Sequence, residues 1–432
     1  HVSTYNLHTR ILEGLPNIEI PSSPFTSIDE LIIDNNGGIW MNHILGQKLI
    51  TNNWGKGVHR YDINKRQYTD HLMESDLDVK TLYENQVNRL FKDRSGCVWA
   101  CTKGGLVKIN VTVSNFNVYS LSDNSIGPIH VDSSGNIWIQ SWNTRPYRYK
   151  LEDNELVDNT PYLIRNPSVP AALENILDIF SPQKNIFWFC SGYGHGILEY
   201  FIDDHQDRFI RQYQIRDGLP DNNINLTFYD SQQQVWVGTD NGVALYNSEN
   251  GTFRSNLNNS DSLFQFKNNI TAIEQSNEDL WFGTMEGILV RHRKSTTSEH
   301  FNSPQVYSPT GGWIMSIKNN GDNILWLGTW QGLFKFDILS ETLEKIENIP
   351  LLNSTIAEIQ IGCDGNLWLG TLSGLVRFNP NTMESNSFRP GEGIRINHIN
   401  WKSSDQDRHG NLFFGTIAGV VYFNPEQITN FA

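Results

Sequence analysis

The chain has 432 residues, a formal net charge of −14, 38% hydrophobic residues, 12% aromatic residues and 19% charged residues. The acidic balance argues against nucleic acid or an anionic membrane as a partner, because both require clustered Lys and Arg. The low charge fraction and the many aromatic rings exclude a disordered chain, and no apolar run approaches the roughly 18 residues of a transmembrane helix.

Eight of the 13 tryptophans recur with similar neighbours, and a ninth copy carries Phe in the same place. In chain order the copies are GGIWMN at Trp40, GCVWACT at Trp99, GNIWIQS at Trp138, NIFWFCS at Trp188, QQVWVGT at Trp236, EDLWFGT at Trp281, NILWLGT at Trp326, GNLWLGT at Trp368 and GNLFFGT at Phe413. Successive copies lie 39 to 59 residues apart, with a mean of 48 residues per copy. This regularity indicates a protein of nine repeats.

Each repeat has the same internal order of segments. In five copies an Asp stands six residues before the Trp position and predicts a turn; these are Asp34, Asp93, Asp132, Asp230 and Asp407. A short apolar run centred on the Trp follows, then usually a Gly-Thr-x-x-Gly turn, a Gly-aliphatic run and a more polar stretch with an aromatic residue. Four short β-branched and aromatic segments per repeat, separated by Gly, Asn, Asp and Pro, predict four strands.

Four strands at this period predict one blade of a β-propeller per repeat, so the fold is expected to be all-β. The recurring Trp is expected on the second strand, where its large ring packs against the neighbouring blade. Five tryptophans fall outside this position: Trp54, Trp142, Trp313, Trp330 and Trp401.

Closure of the ring can be read in two ways. The first residues, VSTYNLHTR (2–10), occupy the position of an outer fourth strand, and the last repeat ends shortly after its third strand. We expect the N-terminal strand to complete the last blade, which gives one nine-bladed ring over residues 1–432 without an exposed edge. The alternative is a seven-bladed ring over residues 116–432, preceded by two blades of an upstream propeller in residues 1–115. Propellers usually have 4–8 blades, which favours the alternative.

The turn between the second and third strands carries aromatic residues in three repeats. These are Trp142, Tyr193 and Trp330, where the other repeats have Lys103, Asp240, Met285, Leu372 and Ile417. Exposed aromatic rings on one face can stack on sugar rings while nearby polar groups fix the orientation. We therefore predict ligand contacts for the three aromatic residues, together with their neighbours Asn143, Arg145 and His195. Packing between blades or contact with a second protomer is the alternative interpretation.

Two further tryptophans, Trp313 and Trp401, flank predicted first strands. We expect them near the mouth of the central channel and predict ligand contacts for them as well. The turns that lead into first strands are rich in Asn, at 222, 223, 225, 268, 269 and 397. Asn can bond hydroxyl groups, but turn formation is the simpler interpretation. The third repeat replaces its Gly-Thr-x-x-Gly turn with SWNTRPYRY, so an unusual turn is expected there.

The run Asp-x-x-Gly-x-[Ile/Leu]-Trp-x-Gly-Thr-x-x-Gly-Leu-x-x-[Phe/Tyr] resembles the two-component regulator propeller repeat. The best copies are DGNLWLGTLSGLVRF (364–378) and ILWLGTWQGLFKF (324–336). The resemblance implies the extracytoplasmic sensor region of a bacterial, often hybrid, histidine kinase, many of which sense oligosaccharides. It implies a periplasmic or extracytoplasmic location within an inner-membrane protein and membrane-linked output domains. It transfers no catalytic residue.

Other kinds of site find little support in the sequence. The four cysteines form no Cys-x-x-Cys pair, and Cys97 and Cys101, about 13 Å apart on one predicted strand, cannot bridge each other. No metal-binding spacing, phosphate-binding glycine loop or nucleophile elbow appears, so no metal, cofactor or catalytic residue is predicted. The N-terminus, HVSTYNLHTR, shows no secretory leader and predicts a mature or trimmed chain.

These observations predict a non-enzymatic sensor that binds a small ligand, such as an oligosaccharide, reversibly on one face of the ring. A homodimer is a further partner arrangement consistent with this interpretation. Two alternatives remain open. One is a polysaccharide lyase or hydrolase, for which Tyr193, His195 and Arg145 are the only cluster to nominate. The other is a protein-interaction scaffold without a small ligand.

Overall fold

The structure is a computed structural model that describes part of the chain. The described residues are 3–5, 12–14, 26–34, 37–45, 58–62, 67–72, 87–94, 97–102, 105–109, 116–119, 121, 125–152, 155–161, 164, 171–203, 205, 207–258, 264, 266–293, 305–307, 312–321, 323–347, 350–388, 398–417 and 419–428. The chain divides into two compact units, one formed by His1–Ser114 and Arg389–Arg395 and the other by Asn115–Phe388 and Ile396–Ala432.

The first unit contains the sheets of the first two repeats and a short hairpin. The hairpin is β1 (Ser3–Tyr5) with β2 (Leu12–Gly14). Blade 1 contains β3 (Thr26–Ile33), β4 (Gly38–Leu45), β5 (Val58–Asp62) and β6 (Gln67–Leu72). Blade 2 contains β7 (Val87–Lys92), β8 (Val98–Thr102) and β9 (Gly105–Ile109).

The second unit contains the sheets of repeats three to nine, each antiparallel and four-stranded. Its first strand in the chain is β10 (Asn117–Tyr119). Blade 3 contains β11 (Ile126–Val131), β12 (Asn136–Ser141), β13 (Pro146–Glu152) and β14 (Glu155–Asp158). Blade 4 contains β15 (Ile176–Gln183), β16 (Ile186–Ser191), β17 (Ile197–Ile202) and β18 (Asp207–Tyr213). Blade 5 contains β19 (Ile224–Tyr229), β20 (Val235–Thr239), β21 (Gly242–Asn247) and β22 (Thr252–Arg254).

The remaining blades follow the same order. Blade 6 contains β23 (Ile270–Ser276), β24 (Asp279–Thr284), β25 (Leu289–Arg293) and β26 (Gln305–Tyr307). Blade 7 contains β27 (Ile314–Asn319), β28 (Ile324–Thr329), β29 (Gly332–Asp337) and β30 (Thr342–Lys345). Blade 8 contains β31 (Ile356–Ile361), β32 (Leu367–Thr371), β33 (Gly374–Phe378) and β34 (Ser385–Phe388). Blade 9 contains β35 (Ile399–Gln406), β36 (Leu412–Thr416) and β37 (Val420–Phe423), and its fourth strand is β10.

The helical segments described in full are short 3-10 turns at Ala171–Glu174, Ile215–Asp217, Pro350–Asn353 and Pro425–Gln427. Ile164 is also α-helical, and Phe264 lies in a 3-10 turn. Within the part of the chain that the structure describes, no helix has the length and apolar character needed to cross a membrane. The prediction of an all-β fold of four-stranded blades is therefore confirmed.

The second unit is a closed ring of seven blades. Each first strand contacts the first strand of the next blade, and β11 of blade 3 contacts β35 of blade 9, which completes the circle. The last blade is finished by β10, with Asn117 paired to Tyr422 and Tyr119 paired to Val420. β10 thereby covers the outer edge of β37, so blade 9 has four strands like the other blades of the ring.

The predicted closing strand is wrong. Of the N-terminal stretch 2–10, the described residues Ser3–Tyr5 pair with Leu12–Gly14 and not with the last blade. Phe116, directly before β10, is buried beside Phe423, Phe388 and Trp368, with ring centroids 4.7 to 6.3 Å apart. These contacts anchor β10 at the edge that the N-terminal stretch was expected to fill. Apart from the N-terminal hairpin, the described strands form nine sheets, of which the ring takes in seven.

The recurring tryptophans lie on second strands, as predicted, and form the core between blades. Six of them, from Trp138 to Trp368, are at most 1% exposed, and Phe413 fills the same position in blade 9. Trp236 of blade 5, for example, belongs to one apolar cluster with Ile270 and Phe282 of blade 6. Each indole therefore joins two blades, because its ring is covered by residues of the next sheet.

First strands are also joined by polar contacts across the channel wall. Asp178 of blade 4 accepts hydrogen bonds from the amide and hydroxyl of Thr227 in blade 5, both at 2.6 Å. Glu358 of blade 8 accepts from the Lys402 amide of blade 9 at 2.5 Å. The Asp405 carboxylate of blade 9 accepts from the Val131 amide of blade 3 at 2.7 Å. These carboxylates satisfy backbone amides that the first strand, lying at the channel edge, cannot pair within its own sheet.

Candidate functional site

The turns between second and third strands present a set of aromatic side chains, here called the aromatic face. Tyr193 is 60% exposed and Trp330 is 56% exposed, while Trp142 is half-buried. Exposed rings of this size are unusual on a soluble surface unless they contact something, because each leaves a large apolar area in water. The prediction that Tyr193 and Trp330 stand at the rim agrees with this geometry, and ligand contact remains a prediction.

The turn of the third repeat is unusual, as its sequence suggested. Asn143 adopts a left-handed conformation with φ 59°, which Asn tolerates better than most residues. The Trp142 amide donates to the Ser125 carbonyl at 2.9 Å, and Gln140 Nε2 donates to the Thr144 carbonyl at 2.7 Å. These contacts hold the Trp142 ring half-buried. Arg145 donates from Nη1 to the Ile164 carbonyl at 3.3 Å, so its guanidinium supports a neighbouring loop.

Tyr193 and His195 lie on a glycine-rich turn of blade 4. Gly196 has φ 72°, and a Cβ there would lie 2.0 Å from the Tyr213 carbonyl oxygen, so only glycine fits. The Gly196 amide donates to the Asn222 carbonyl of the next blade at 2.9 Å. The side chains of Tyr193 and His195 are exposed, whereas the His195 carbonyl accepts from Gln212 Nε2 at 2.6 Å. The turn is thus fixed by its backbone and leaves both rings outside.

The Asn-rich turns are largely occupied by their own contacts. Asp240 accepts from Nδ2 of Asn223 at 2.9 Å, of Asn225 at 3.0 Å and of Asn269 at 2.7 Å. Asn222 Oδ1 accepts from the Ile215 amide at 2.9 Å. The simpler interpretation, that these residues build turns and join blades 5 and 6, accounts for these contacts. Asn397 and Lys103 lie outside the described residues, as does Trp54.

Two tryptophans of different blades, Trp313 and Trp401, meet beside the backbone of Trp330. Trp313 and Trp401 pack edge to face with centroids 4.7 Å apart and an interplanar angle of 69°. The Trp330 amide donates to the Trp313 carbonyl at 3.0 Å, which places the exposed Trp330 beside this pair. We call Trp313, Trp330 and Trp401 the indole cluster. It joins blades 7 and 9, and its members include the two tryptophans predicted near the channel mouth.

Trp142 has a short polar link to the indole cluster. Asn400, next to Trp401, donates from Nδ2 to Ser125 Oγ and to the Ile126 carbonyl, both at 2.7 Å. Ser125 in turn accepts the Trp142 amide. Tyr193 and His195, on blade 4, have no recorded contact with the cluster among the described residues. The structure therefore brings together Trp313, Trp330 and Trp401, places Trp142 next to them along the ring, and leaves Tyr193 on a separate turn.

Charged residues inside the channel were missed by the sequence analysis. Lys402 lies in the channel wall with Asp178 and Glu358. Burial raises the pKa of both carboxyls, an effect that the charge of Lys402 partly offsets. Burial also lowers the pKa of Lys402, and the two carboxylates oppose this change. The available signal was an acidic residue inside an otherwise apolar first strand, as in LDIF around Asp178 and AEIQ around Glu358.

A serine, a histidine and an aspartate also lie side by side along the channel wall. A ring nitrogen of His130 and Ser181 Oγ are 2.9 Å apart, and His130 Nδ1 lies 3.5 Å from an Asp405 oxygen. This order is that of a nucleophile, a base and an acid. Pro182 follows Ser181, however, and removes the backbone N–H that would hold an oxyanion after attack. The three residues instead join blades 9, 3 and 4.

The cysteines and metal-binding groups add no further site. The four cysteines are free; Cys97 and Cys190 are buried, Cys101 is half-buried and Cys363 is exposed. Across the residues that the structure describes, no group of three or more His, Cys, Asp or Glu side chains is arranged to hold a metal ion. Of the residues nominated for lyase chemistry, Tyr193 and His195 lie on the glycine-rich turn of blade 4, and Arg145 lies in the turn of blade 3.

Comparison with known proteins supports the family resemblance. The sequence profile of the two component regulator propeller matches residues 218–241. A histidine kinase, P4 of Formosa agariphila, is 24% identical over 204 residues, which cover 43% of this chain and 14% of that protein. The resemblance to the two-component regulator propeller repeat is therefore confirmed, and the chain corresponds to a small part of that kinase.

Solved structures share the propeller fold. The extracellular domain of the hybrid two component system BT3049 from B. thetaiotaomicron superposes with a TM-score of 0.64 at 19% identity. The match covers 98% of this chain and 54% of that domain, so the chain spans about half its length. Virginiamycin B lyase from Staphylococcus aureus matches with a TM-score of 0.52 at 16% identity, over 71% of this chain and 98% of the lyase. At these identities the likeness concerns the fold alone.

Proposed function

We propose that this chain is a ligand-sensing propeller region of a bacterial two-component-type signalling protein. The relative from Formosa agariphila is a histidine kinase, and the BT3049 structure is an extracellular domain of a hybrid two-component system. By analogy, the region lies outside the cytoplasm, as part of an inner-membrane protein with signalling output domains elsewhere in the full-length molecule. Binding would be reversible, without chemical change of the ligand, and would shift a domain or dimer arrangement.

We further propose an oligosaccharide as the ligand, bound on the aromatic face. The observation that carries this proposal is the exposure of Trp330, at 56%, beside the half-buried Trp313 and Trp401. Aromatic rings offer flat apolar surfaces to the C–H faces of sugar rings, and the polar turns beside them can bond hydroxyl groups. Such rings lose little conformational entropy on binding, because each has only two rotatable bonds.

Isothermal titration calorimetry with a panel of oligosaccharides tests this function. We expect at least one neutral sugar to bind, and we expect Trp330→Ala to weaken that binding by roughly tenfold or more, since a central aromatic contact typically contributes more than 1 kcal/mol. Phe209→Ala is the matched control, because Phe209 is an exposed aromatic residue on the outer strand of blade 4. Absence of binding to every sugar, or equal affinity in the Trp330 variant, would contradict the proposal.

An enzymatic role receives no separate support. The likeness to virginiamycin B lyase is a likeness of fold alone. Monitoring the same titrations for product by mass spectrometry gives a direct check. If the protein is a sensor, we expect the sugar to be recovered unchanged after prolonged incubation. Formation of product would show instead that the protein is an enzyme.

A further inference from the structure

The first strand of blade 9 has a larger irregularity near its start than the first strands of the other blades in the ring. In blade 8, Ile356 pairs with Thr371 and Glu358 with Gly370, so the first strand contains one residue more than its partner. In blade 9, Ile399 pairs with Thr416 and the next pair is Ser404 with Phe414, which leaves three extra residues. Relative to blade 8 this is an insertion of two residues, and we assign it to Trp401 and Lys402. Lys402 has a left-handed φ of 60°, which turns the strand sharply at this point.

The insertion carries Trp401 across the inner end of a neighbouring blade. Trp401 Nε1 donates to the Met315 carbonyl at 3.0 Å, and Met315 belongs to blade 7, two blades away around the ring. The ring of Trp401 meets Trp313, which directly precedes the first strand of blade 7. An indole in a strand of ordinary length would remain with its own blade, so the insertion is what assembles the indole cluster.

Lys402 holds Trp401 from the other side. Its Nζ lies 5.7 Å from the centroid of the Trp401 ring, within the range of a cation–π interaction. Its amide donates to Glu358 at 2.5 Å, and Glu358 also accepts from Ser404 Oγ at 2.8 Å. The position of Trp401 is therefore coupled to a buried carboxylate of blade 8.

The charges around Lys402 are more acidic than basic. Asp178 and Glu358 interact electrostatically with Lys402, and Lys318 interacts with both Lys402 and Glu358. Glu274 of blade 6 interacts with Lys318. These five groups comprise three carboxyls and two amines, in a chain whose formal net charge is −14. Because the chain as a whole is acidic, a ligand with carboxylate or sulfate groups would meet net repulsion from it.

We propose that the Trp401–Lys402 insertion, with Trp313 and Trp330, forms a seat for one uncharged pyranose ring, and that Lys402 is a positioning residue for Trp401. This inference rests on the proposed function and narrows it to a place and to a class of sugar. Trp330 supplies an exposed stacking surface, and the Trp313–Trp401 pair supplies the adjoining apolar wall. Tyr193, on its separate turn, is outside this seat.

The test is calorimetric titration of the full chain with matched neutral and acidic trisaccharides. Cellotriose, laminaritriose and mannotriose serve as neutral probes, and trigalacturonate serves as the acidic probe. We expect a neutral probe to bind, and Trp401→Ala to weaken it roughly tenfold or more. Lys402→Met should weaken it less and should also shift the near-ultraviolet circular dichroism of the indoles, since the methionine keeps the length of the side chain and removes its charge. Phe209→Ala, on the outer strand of blade 4, should leave the affinity within about twofold.

The outcomes separate the seat from the function. Weaker binding in Trp401→Ala with an unchanged thermal midpoint supports the seat. If Trp401→Ala fails to fold, Trp401→Phe replaces it, which keeps an aromatic ring and removes the hydrogen bond to Met315. Neutral binding that survives both Trp401 variants but is lost in Tyr193→Ala overturns the seat and leaves the sensor function standing. Tighter binding of trigalacturonate than of every neutral probe overturns the charge argument. If none of these sugars binds the wild-type chain while another sugar does, the proposed seat is wrong and the sugar-sensing function stands. If no sugar binds, both the seat and the sugar-sensing function are wrong.

Discussion

One aspartate in each of four blades has two roles, and the sequence revealed only one of them. In blade 5, Asp230 Oδ1 accepts the amides of Gln232 and Gln234, at 2.9 and 2.8 Å, and so forms the turn predicted for it. Its other oxygen accepts the indole N–H of Trp236 at 3.0 Å. Asp34, Asp93 and Asp132 bond Trp40, Trp99 and Trp138 in the same way. The spacing of six residues therefore satisfies the polar atom of an otherwise apolar side chain.

Replacement of this aspartate should be costly. We expect Asp230→Ala to lower the free energy of unfolding by about 2–4 kcal/mol, because it removes the turn acceptor and leaves a buried indole N–H unpaired. Chemical denaturation measures the change. Asp337→Ala is the matched control, since Asp337 also accepts turn amides, from Leu339 and Ser340, on the protein surface. Equal losses in both variants would show that the indole bond contributes nothing.

Each first strand contributes some residues to the core between blades and others to the wall of the channel. Ile356 and Ile359 are buried in the core between blades, while Glu358 lies at the channel wall and bonds blade 9. Burial of such a carboxyl raises its pKa, so the folded state binds its proton more tightly than the unfolded state does. Its contribution to stability is therefore greatest below the ordinary pKa of about 4.5 and is lost as the pH rises through the folded pKa.

The predicted direction of the pH dependence can be tested with Glu358→Gln. Because the amide cannot ionise, we expect the free energy of unfolding of the variant, relative to wild type, to rise between pH 4 and pH 7. The change should be about 1.4 kcal/mol for each tenfold difference in proton affinity between the two states. Urea titrations at the two pH values measure it. Asp337→Asn should show the opposite trend only when the titrations are extended below the ordinary Asp pKa of 3.8, since the hydrogen bond from the Ser340 amide lowers the pKa of Asp337. A flat or falling difference for Glu358→Gln would contradict the argument.

At the scale of the whole molecule, the seven-bladed ring depends on β10. The strand supplies the fourth position of blade 9, and Phe116 fixes it among three aromatic rings. The second unit begins at Asn115, so it includes its own closing strand. This organisation predicts that the ring can fold without the first unit but not without β10.

Two truncated chains test this prediction. A chain of residues 115–432 should show a cooperative thermal transition and a folded near-ultraviolet circular dichroism spectrum. A chain of residues 125–432 lacks β10 and leaves β37 as an open edge, so we expect it to aggregate or to lose several kcal/mol of stability. If the longer chain were unfolded, or if both were equally stable, closure by β10 would not be what holds the ring together.

The sequence predicts the repeating parts of this molecule well and the unique parts poorly. The segment around the Trp position recurs nine times, eight times with Trp and once with Phe, so each copy supports the assignment of the others. The strands of each blade can be predicted from this repetition. The closing strand, NVY at 117–119, is three residues long and carries no distinctive pattern, so its partner could not be identified. The same holds for Trp313 and Trp401, which meet only because the ring brings blades 7 and 9 close together. A contact between distant residues that occurs only once in the molecule leaves no periodic pattern in the sequence.

The pairing of β10 with β37 also bears on the order in which the protein folds during synthesis. Tyr119 and Val420 lie at opposite ends of the second unit, so the strand that seals the ring is made first and its partner last. While the intervening blades emerge from the ribosome, β10 has no partner and the growing stack has an open edge. A pause or frameshift before residue 420 would therefore release chains with two exposed strand edges. Chaperones would have to shield these edges, or proteases would remove the incomplete chains.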